Sequence, residues 1–277
     1  MRLRSLLLLL PLLGTGCLPN GEWIPTLWGG ATLDPAEATD TTGTFEADGC
    51  TVEVTRYAVS IQSGALLDPL TQAVAALPGD QVFDVAQPGP HSLASVFLRR
   101  GVYPESVLIV SRPDTLRESE LAGRGRLVGW DNASSDPNPI RGNVDDPLEE
   151  AMVADDALAA LAGTVTCGDE PIAFDLLVDD GIGLLFCPHG ETWEVPGGGY
   201  AVTTYAVDAE AVLGPVARAI HDADDSDDDG VIGLSELPAD DASALRAAQR
   251  NAWSTDEGPC RWERAPETAG DDDDSAE

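Results

Sequence analysis

Between Asp225 and Glu236 the chain reads Asp-Ser-Asp-Asp-Asp-Gly-Val-Ile-Gly-Leu-Ser-Glu, with carboxylates at the first, third, fifth and twelfth positions. Short Asp side chains at alternate positions can converge on one point without long flexible stems. Hard oxygen donors so arranged suit a divalent cation that takes roughly six to eight oxygens at about 2.3–2.6 Å. Gly230 stands sixth, where the chain must turn through a conformation that costs other residues energy. Val231, seventh, offers its carbonyl, and Ile232, eighth, has an apolar side chain that can pin the loop to a core. Gly233, ninth, brings no side-chain donor, so water fills that place. Glu236 is long enough to bind with both oxygens. The expected ion is calcium, and its expected ligands are Asp225, Asp227, Asp229, Val231 and Glu236.

The run resembles the EF-hand calcium loop at every ligand position except the optional ninth. The resemblance implies a helix on either side, with Leu237 anchoring the second. Asp222 and Asp224 stand where the entering helix usually shows an apolar face, and Pro238 falls where only a first helical turn tolerates it. A second loop of this kind, the usual partner, does not occur in the sequence. A single exposed loop implies affinity on the order of 10⁻⁵–10⁻³ M, which suits calcium outside the cytoplasm.

Other chemistry is less legible. The chain has no Gly-x-Ser-x-Gly elbow, His-Glu-x-x-His run, phosphate loop or dinucleotide fingerprint. Its three histidines are His91 in a Pro-Gly-Pro-His turn, His189 in Cys-Pro-His-Gly, and His221 just before the acidic loop. The first two read as turn or surface residues; the third reads as an outer-shell or helix-packing group. Carboxylates are so many that no pair stands out for glycoside chemistry.

The N-terminus carries an address. Arg2 and Arg4 precede the apolar stretch Leu6–Leu13, broken by Pro11 and followed by Gly14, Thr15, Gly16 and Cys17. Crossing a bilayer takes about 20 apolar residues, so this stretch is a signal segment and not a span. Leu13-Gly14-Thr15-Gly16-Cys17 resembles a bacterial lipobox, with Gly14 where Leu is usual. The resemblance implies lipidation of Cys17 and anchoring to the outer membrane or cell surface, with the periplasm as the other compartment. Setting Cys17 aside leaves Cys50, Cys167, Cys187 and Cys260, enough for two disulfides in an oxidising compartment, with three pairings open. A zinc site at Cys187 and His189 is the competing reading, against which stands the absence of any Cys-x-x-Cys pair.

Composition narrows the partners. The formal charge is −34, and all 15 basic residues are Arg. Without residues 1–16, 49 acids face 13 Arg, a net −36. Such a surface repels nucleic acid and anionic lipid, attracts cations and suits a salty or calcium-rich medium. Aromatics are only 5%, so the core is expected to rest on Val, Leu, Ile and Ala.

The elements that must position the loop are read from apolar periodicity. Residues 1–16 read as a signal peptide, 17–49 as a flexible tether, 50–207 as a β-sandwich-like domain, 208–262 as an EF-hand-like helical segment and 263–277 as an acidic tail. Val52 and Val54 alternate, then Tyr57, Val59 and Ile61 alternate in the opposite phase, which predicts a β-bulge between them. Further strands are predicted at Gln81–Val85, Leu93–Leu98, Val107–Ser111, Arg126–Trp130, Thr164–Thr166, Ile172–Val178, Leu184–Phe186 and Tyr200–Val207. Gly- and Pro-rich turns punctuate them, and the sum is an antiparallel sandwich. Two helices are predicted: Pro147–Ala162, capped by Asp146 and stopped by Gly163, and Pro215–Ala223. A faint repeat relates Phe83-Asp84-Val85 with Gly101-Val102-Tyr103 to Phe174-Asp175-Leu176 with Gly199-Tyr200. The whole resembles the β-sandwich domains of uncharacterised exported bacterial lipoproteins, here with a single EF-hand calcium-binding loop.

The expected role is that of a non-enzymatic, calcium-binding envelope lipoprotein with a structural or binding function. The alternatives are a calcium-dependent hydrolase of envelope polymers, with two facing carboxylates in a cleft, and a sugar or small-ligand module stacking on Trp193 or Trp130.

Overall fold

The computed structural model describes residues 20–29, 43–77, 81–87, 89–113, 144 and 146–265, which form a mainly β structure with mixed sheets. Cys17, Trp130, the strand predicted at Arg126–Trp130 and residues 266–277 lie outside the described residues.

The smaller sheet has six strands: β1 (Asn20–Gly29), β6 (His91–Ser92), β7 (Val96–Arg99), β14 (Tyr200–Val207), β16 (Trp253–Thr255) and β17 (Gly258–Pro259). The larger has ten: β2 (Thr44–Ala47), β3 (Cys50–Leu67), β4 (Ala73–Leu77), β5 (Gln81–Asp84), β9 (Glu105–Val110), β10 (Ala157–Thr166), β11 (Pro171–Asp179), β12 (Gly183–Pro188), β15 (Val231–Ile232) and β18 (Arg261–Arg264). A two-stranded piece pairs β8 (Gly101–Val102) with β13 (Glu194–Val195). The expectation of a wholly antiparallel body needs correction, because β1 pairs with β14, and β11 with β15, in parallel.

The predicted bulge falls where the change of phase placed it. Ala162 pairs with Arg56 and Gly163 with Val54, so Thr55 is the extra residue on β3. Gly163 is required by close approach: a Cβ there would stand 2.0 Å from the Glu53 carbonyl oxygen. It is a strand residue and not the helix stop expected of it.

The predicted helix Pro147–Ala162 is the clearest misreading. The helix, α1, covers Asp146–Ala154, Asp156 turns the chain with φ +57°, and Ala157–Thr166 is strand β10. The run Ala157–Leu161 is apolar without alternation because both faces are covered. Ala157 and Ala160 pack under Met152 and Leu148 of α1, while Leu158, Ala159 and Leu161 face the main core. Burial on two faces overrides a local preference for helix.

The tether also needs correction. Residues 20–29 form β1, central in the smaller sheet, with Trp23, Leu27 and Trp28 buried, and residues 44–47 form β2. The boundary at residue 208 is not a boundary in packing. Val212, Leu213, Val216, Ile220 and Leu245 share one core with Trp23, Tyr57 and Tyr205. Glu263 and Arg264, assigned to the tail, belong to β18 beside β12. Aliphatic residues supply most of the core, but its largest fully buried side chains include Trp23, Trp253, Tyr57, Tyr205 and Phe174. The faint repeat has no structural counterpart: Tyr103 is buried after the short β8, whereas Tyr200 is exposed at the start of β14.

Two disulfides form, Cys50–Cys167 and Cys187–Cys260. The first ties the start of β3 to the residue after β10. The second ties β12 to the link between β17 and β18, and it leaves Cys187 no thiolate for zinc. Two disulfides indicate an oxidising, extracytoplasmic environment. Among the described residues no helix is long and apolar enough to cross a membrane.

Candidate metal centre

The acidic loop hangs between helices that the core holds in place. Asp208 caps α2 (Ala209–Leu213), its carboxylate accepting from the amides of Glu210 and Ala211. A 3-10 turn at Gly214–Val216 leads into α3 (Ala217–Asp222), which buries Ala217 and Ile220. The helix predicted at Pro215–Ala223 is α3, one residue shorter at its end and entered through the 3-10 turn that takes up Pro215 and Val216. After the loop come β15, a 3-10 turn at Leu234–Glu236 and α4 (Ala239–Asn251), with Pro238 just ahead of the helix, where its ring breaks no bond.

Within the loop, carboxylate oxygens of Asp225, Asp227 and Asp229 lie within 4.8 Å of one another. The backbone enforces this convergence. The Asp229 amide donates to Asp225 Oδ1 and Asp227 Oδ1, both at 3.2 Å, and the Gly230 amide donates to Asp225 Oδ2 at 2.8 Å. The Val231 amide donates to Asp229 Oδ1 at 2.8 Å. Asp228 at φ +59° and Gly230 at φ +84° make the reversal. Gly is the residue that takes such a φ at least cost, and Asp is among the few others that tolerate it.

Glu236 is placed differently from the Asp trio and is not part of that cluster. Its Oε2 accepts from the Gly233 amide at 2.9 Å, and its Oε1 accepts from the Ser226 amide at 2.6 Å and hydroxyl at 2.8 Å. These donors, Gly233 first and then Ser226, hold the Glu236 carboxyl below its ordinary range. At Asp227 the Asp229 amide acts to lower the pKa, but lost solvent and the charges of Asp229 and Glu236 outweigh it and push the group up. Repulsion of this kind inside a trio of acids is what a bound cation relieves.

Below the acids the loop is fastened to the sheet. Ile232 is buried and Val231–Ile232 forms β15, which pairs with Ala173–Phe174 of β11. The edge of β11 thus holds the loop to the larger sheet. Nothing near the loop in sequence foretold this, nor the clamp that Ser226 places on Glu236.

The other residues singled out fall elsewhere. His221 Nδ1 meets the Asp222 carboxylate at 2.9 Å, and His91 Nε2 meets the Gln87 carbonyl at 3.2 Å. His189 is not a surface residue, contrary to expectation; it is buried in a chain of polar groups that joins the two sheets. Trp23 Nε1 donates to Thr203 Oγ1 at 3.0 Å, Thr203 meets His189 Nδ1 at 3.1 Å, His189 Nε2 meets Ser106 Oγ at 2.7 Å, and Ser106 meets the Tyr205 hydroxyl at 2.7 Å. Burial pushes the imidazole down to about 4. Ser106 and His189 are both buried, so this pair braces the core and meets no solvent-borne substrate. Trp193 is half-buried, with its ring at an edge-type contact with His189, centroids 4.6 Å apart. Asp84 and Asp180 are also buried. Asp84 accepts from the amides of Tyr57 and Ala86, and Asp180 pairs with Arg250 and Arg264.

Comparison of the chain with family models, curated proteins and solved structures finds no match.

Proposed function

We propose that this chain is a calcium-binding, lipid-anchored protein of the cell envelope with a structural or binding role. Its loop at 225–236 acts as a single EF-hand between α3 and α4. The observation that carries the reading is the convergence of Asp225, Asp227 and Asp229 above a buried Ile232, with Gly230 making the turn. Those three carboxylates, the Val231 carbonyl and Glu236 are the ligands, and Glu236 exchanges its Ser226 and Gly233 bonds for the ion. A bound divalent cation supplies charge neutralisation and a rigid crosslink between the loop's ends. Asp222, Asp224 and Asp228 add local negative charge that favours the ion. The two sheets are taken as the layers of a sandwich, a reading supported by the Trp23–Thr203–His189–Ser106–Tyr205 chain between them. The anchor is Cys17, in keeping with the disulfides and the lipobox-like run.

Melting curves test the calcium reading. At a calcium concentration about 100 times Kd, mass action stabilises the fold by about 2.7 kcal/mol, or about 5–10 °C in Tm for a body of this size. Asp225→Ala abolishes most of that rise. A rise of equal size in the variant places the ion elsewhere and ends the proposal.

A further inference from the structure

The large exposed hydrophobic side chains among the described residues are gathered around one place. On the outer face of the smaller sheet Glu22 of β1 pairs with Phe97 of β7 on one side and Tyr200 of β14 on the other. Phe97 is 61% exposed and Tyr200 67%, so two rings flank one carboxylate, about 10 Å apart across two strand spacings. Val202, also exposed, lies in the next row beside Ile24. The other large exposed hydrophobics among the described residues, Leu70, Val74 and Val102, lie on segments that adjoin β7. β4, which carries Val74, packs on β7. Val102 follows Arg99 by three residues, and the Tyr103 hydroxyl donates to the Arg99 carbonyl at 2.6 Å. Tyr103 also feels the charge of Asp68 in the turn that carries Leu70. Scattered single apolar residues need no explanation, but a set gathered around one sheet end does.

That end is where the chain leaves for its anchor. Asn20, the first residue of β1, pairs with Arg99 in the row beside Glu22 and Phe97. Cys17 precedes Asn20 by three residues, which span at most about 11 Å fully extended. A lipid on Cys17 therefore holds the Asn20 end of this patch within about 11 Å of the lipidated residue, close to the bilayer surface.

We infer that this patch, centred on Phe97, Glu22 and Tyr200, is a membrane-contacting surface that lies against the zwitterionic lipid holding the anchor. The inference rests on the proposed lipidation of Cys17. Phe97, Tyr200, Val202 and Leu70 enter the interfacial region, where aromatic rings are favoured. The ammonium of a zwitterionic headgroup meets the Glu22 carboxylate between two aromatic faces, an arrangement that attracts a cation. Ser95 holds that carboxylate through a hydrogen bond. The net charge of −36 without residues 1–16 opposes anionic lipid, but charges beyond about 8 Å are screened at physiological salt. Arg99 and Arg100 stand nearest the patch along the chain and supply local positive charge for headgroup phosphates.

Depth-dependent quenching tests the inference on the full, acylated chain. Phe97→Trp is placed on phosphatidylethanolamine–phosphatidylcholine vesicles with and without brominated acyl chains. Asp240→Trp serves as control, because α4 packs on α2, which lies beyond the opposite end of β14. The inference predicts a blue-shifted added emission for Phe97→Trp, most of which brominated lipid removes, and no loss for Asp240→Trp. Tyr200→Trp repeats the test should Phe97→Trp fail to fold. Intact mass and flotation with the vesicles report the anchor separately. If the chain is acylated and floats, yet neither Phe97→Trp nor Tyr200→Trp is quenched, the membrane surface alone is overturned, and the patch is free for a protein or glycan. A chain without acyl groups at Cys17 overturns the anchor, and the inference with it.

Discussion

Acid should weaken the fold through His189 at a pH above that at which most carboxylates are protonated. The imidazole is buried, and the chain of hydrogen bonds is complete with a neutral ring: the Trp23 indole N–H donates to Thr203, the Thr203 hydroxyl to Nδ1, and Nε2–H to Ser106. A second ring proton removes the acceptor at Nδ1, strands the Thr203 hydroxyl hydrogen and places a charge among Trp23, Trp193 and Tyr205. Burial accordingly lowers the folded-state pKa to about 4, against an ordinary 6.5. The sign comes from proton counts. Between these values the unfolded chain binds the proton and the folded one does not, so stability is fully present above about 6.5 and falls as pH drops toward 4. From pH 7.5 to pH 5 the loss works out to about 2 kcal/mol, at about 1.36 kcal/mol for each pKa unit. Urea unfolding at pH 5, 6 and 7.5 measures it, with His189→Gln as the comparison. The substitution lowers stability at pH 7.5 through imperfect packing, but it flattens the slope between pH 7.5 and 5 by about 2 kcal/mol. Equal slopes in the two proteins would show that the buried ring does not govern the acid response.

Further outcomes are expected from particular contacts. Gly163→Ala drives a Cβ to within 2.0 Å of the Glu53 carbonyl oxygen, so β3 and β10 must separate. Urea unfolding should show a loss of about 1–3 kcal/mol, as for an overpacked core. Replacing Cys187 and Cys260 together by Ser opens a crosslink across a separation of 73 residues. Loop-closure entropy sets the expected loss at about 4 kcal/mol, measured under conditions that leave Cys50–Cys167 oxidised. Ile232→Ala removes the side chain beneath the loop, and it should cost about 2–3 kcal/mol and weaken calcium binding, both read from melting curves at several calcium concentrations.

What the sequence disclosed and what it hid divide along physical lines. The convergence of Asp225, Asp227 and Asp229 is read from one short stretch, because their offsets in the chain fix it. The bulge at Thr55 was visible as a change of phase between Val54 and Tyr57, since a one-residue slip moves side chains to the other face. Strand β14 was read to its ends, with the Gly197-Gly198-Gly199 turn marking its start. By contrast, Ala157–Ala162 looked helical because two-sided burial erases the alternation that marks a strand. The strand at Asn20–Gly29 was hidden in a stretch rich in Gly and Pro, and only its parallel pairing with β14 makes Trp23 and Leu27 core residues. Long-range pairing also hid the support of the acidic loop, since β11, distant in sequence, holds β15. His189 was misplaced because Cys-Pro-His-Gly reads as a turn, and its partners Ser106 and Thr203 come from strands distant in sequence.

Calorimetric titration of the metal-stripped protein with calcium tests the central claim most directly. The expected result is one calcium per chain, with Kd on the order of 10⁻⁵–10⁻³ M and much weaker binding of magnesium, and no such site in Asp225→Ala. Absence of binding at millimolar calcium, or undiminished binding by the variant, would contradict it.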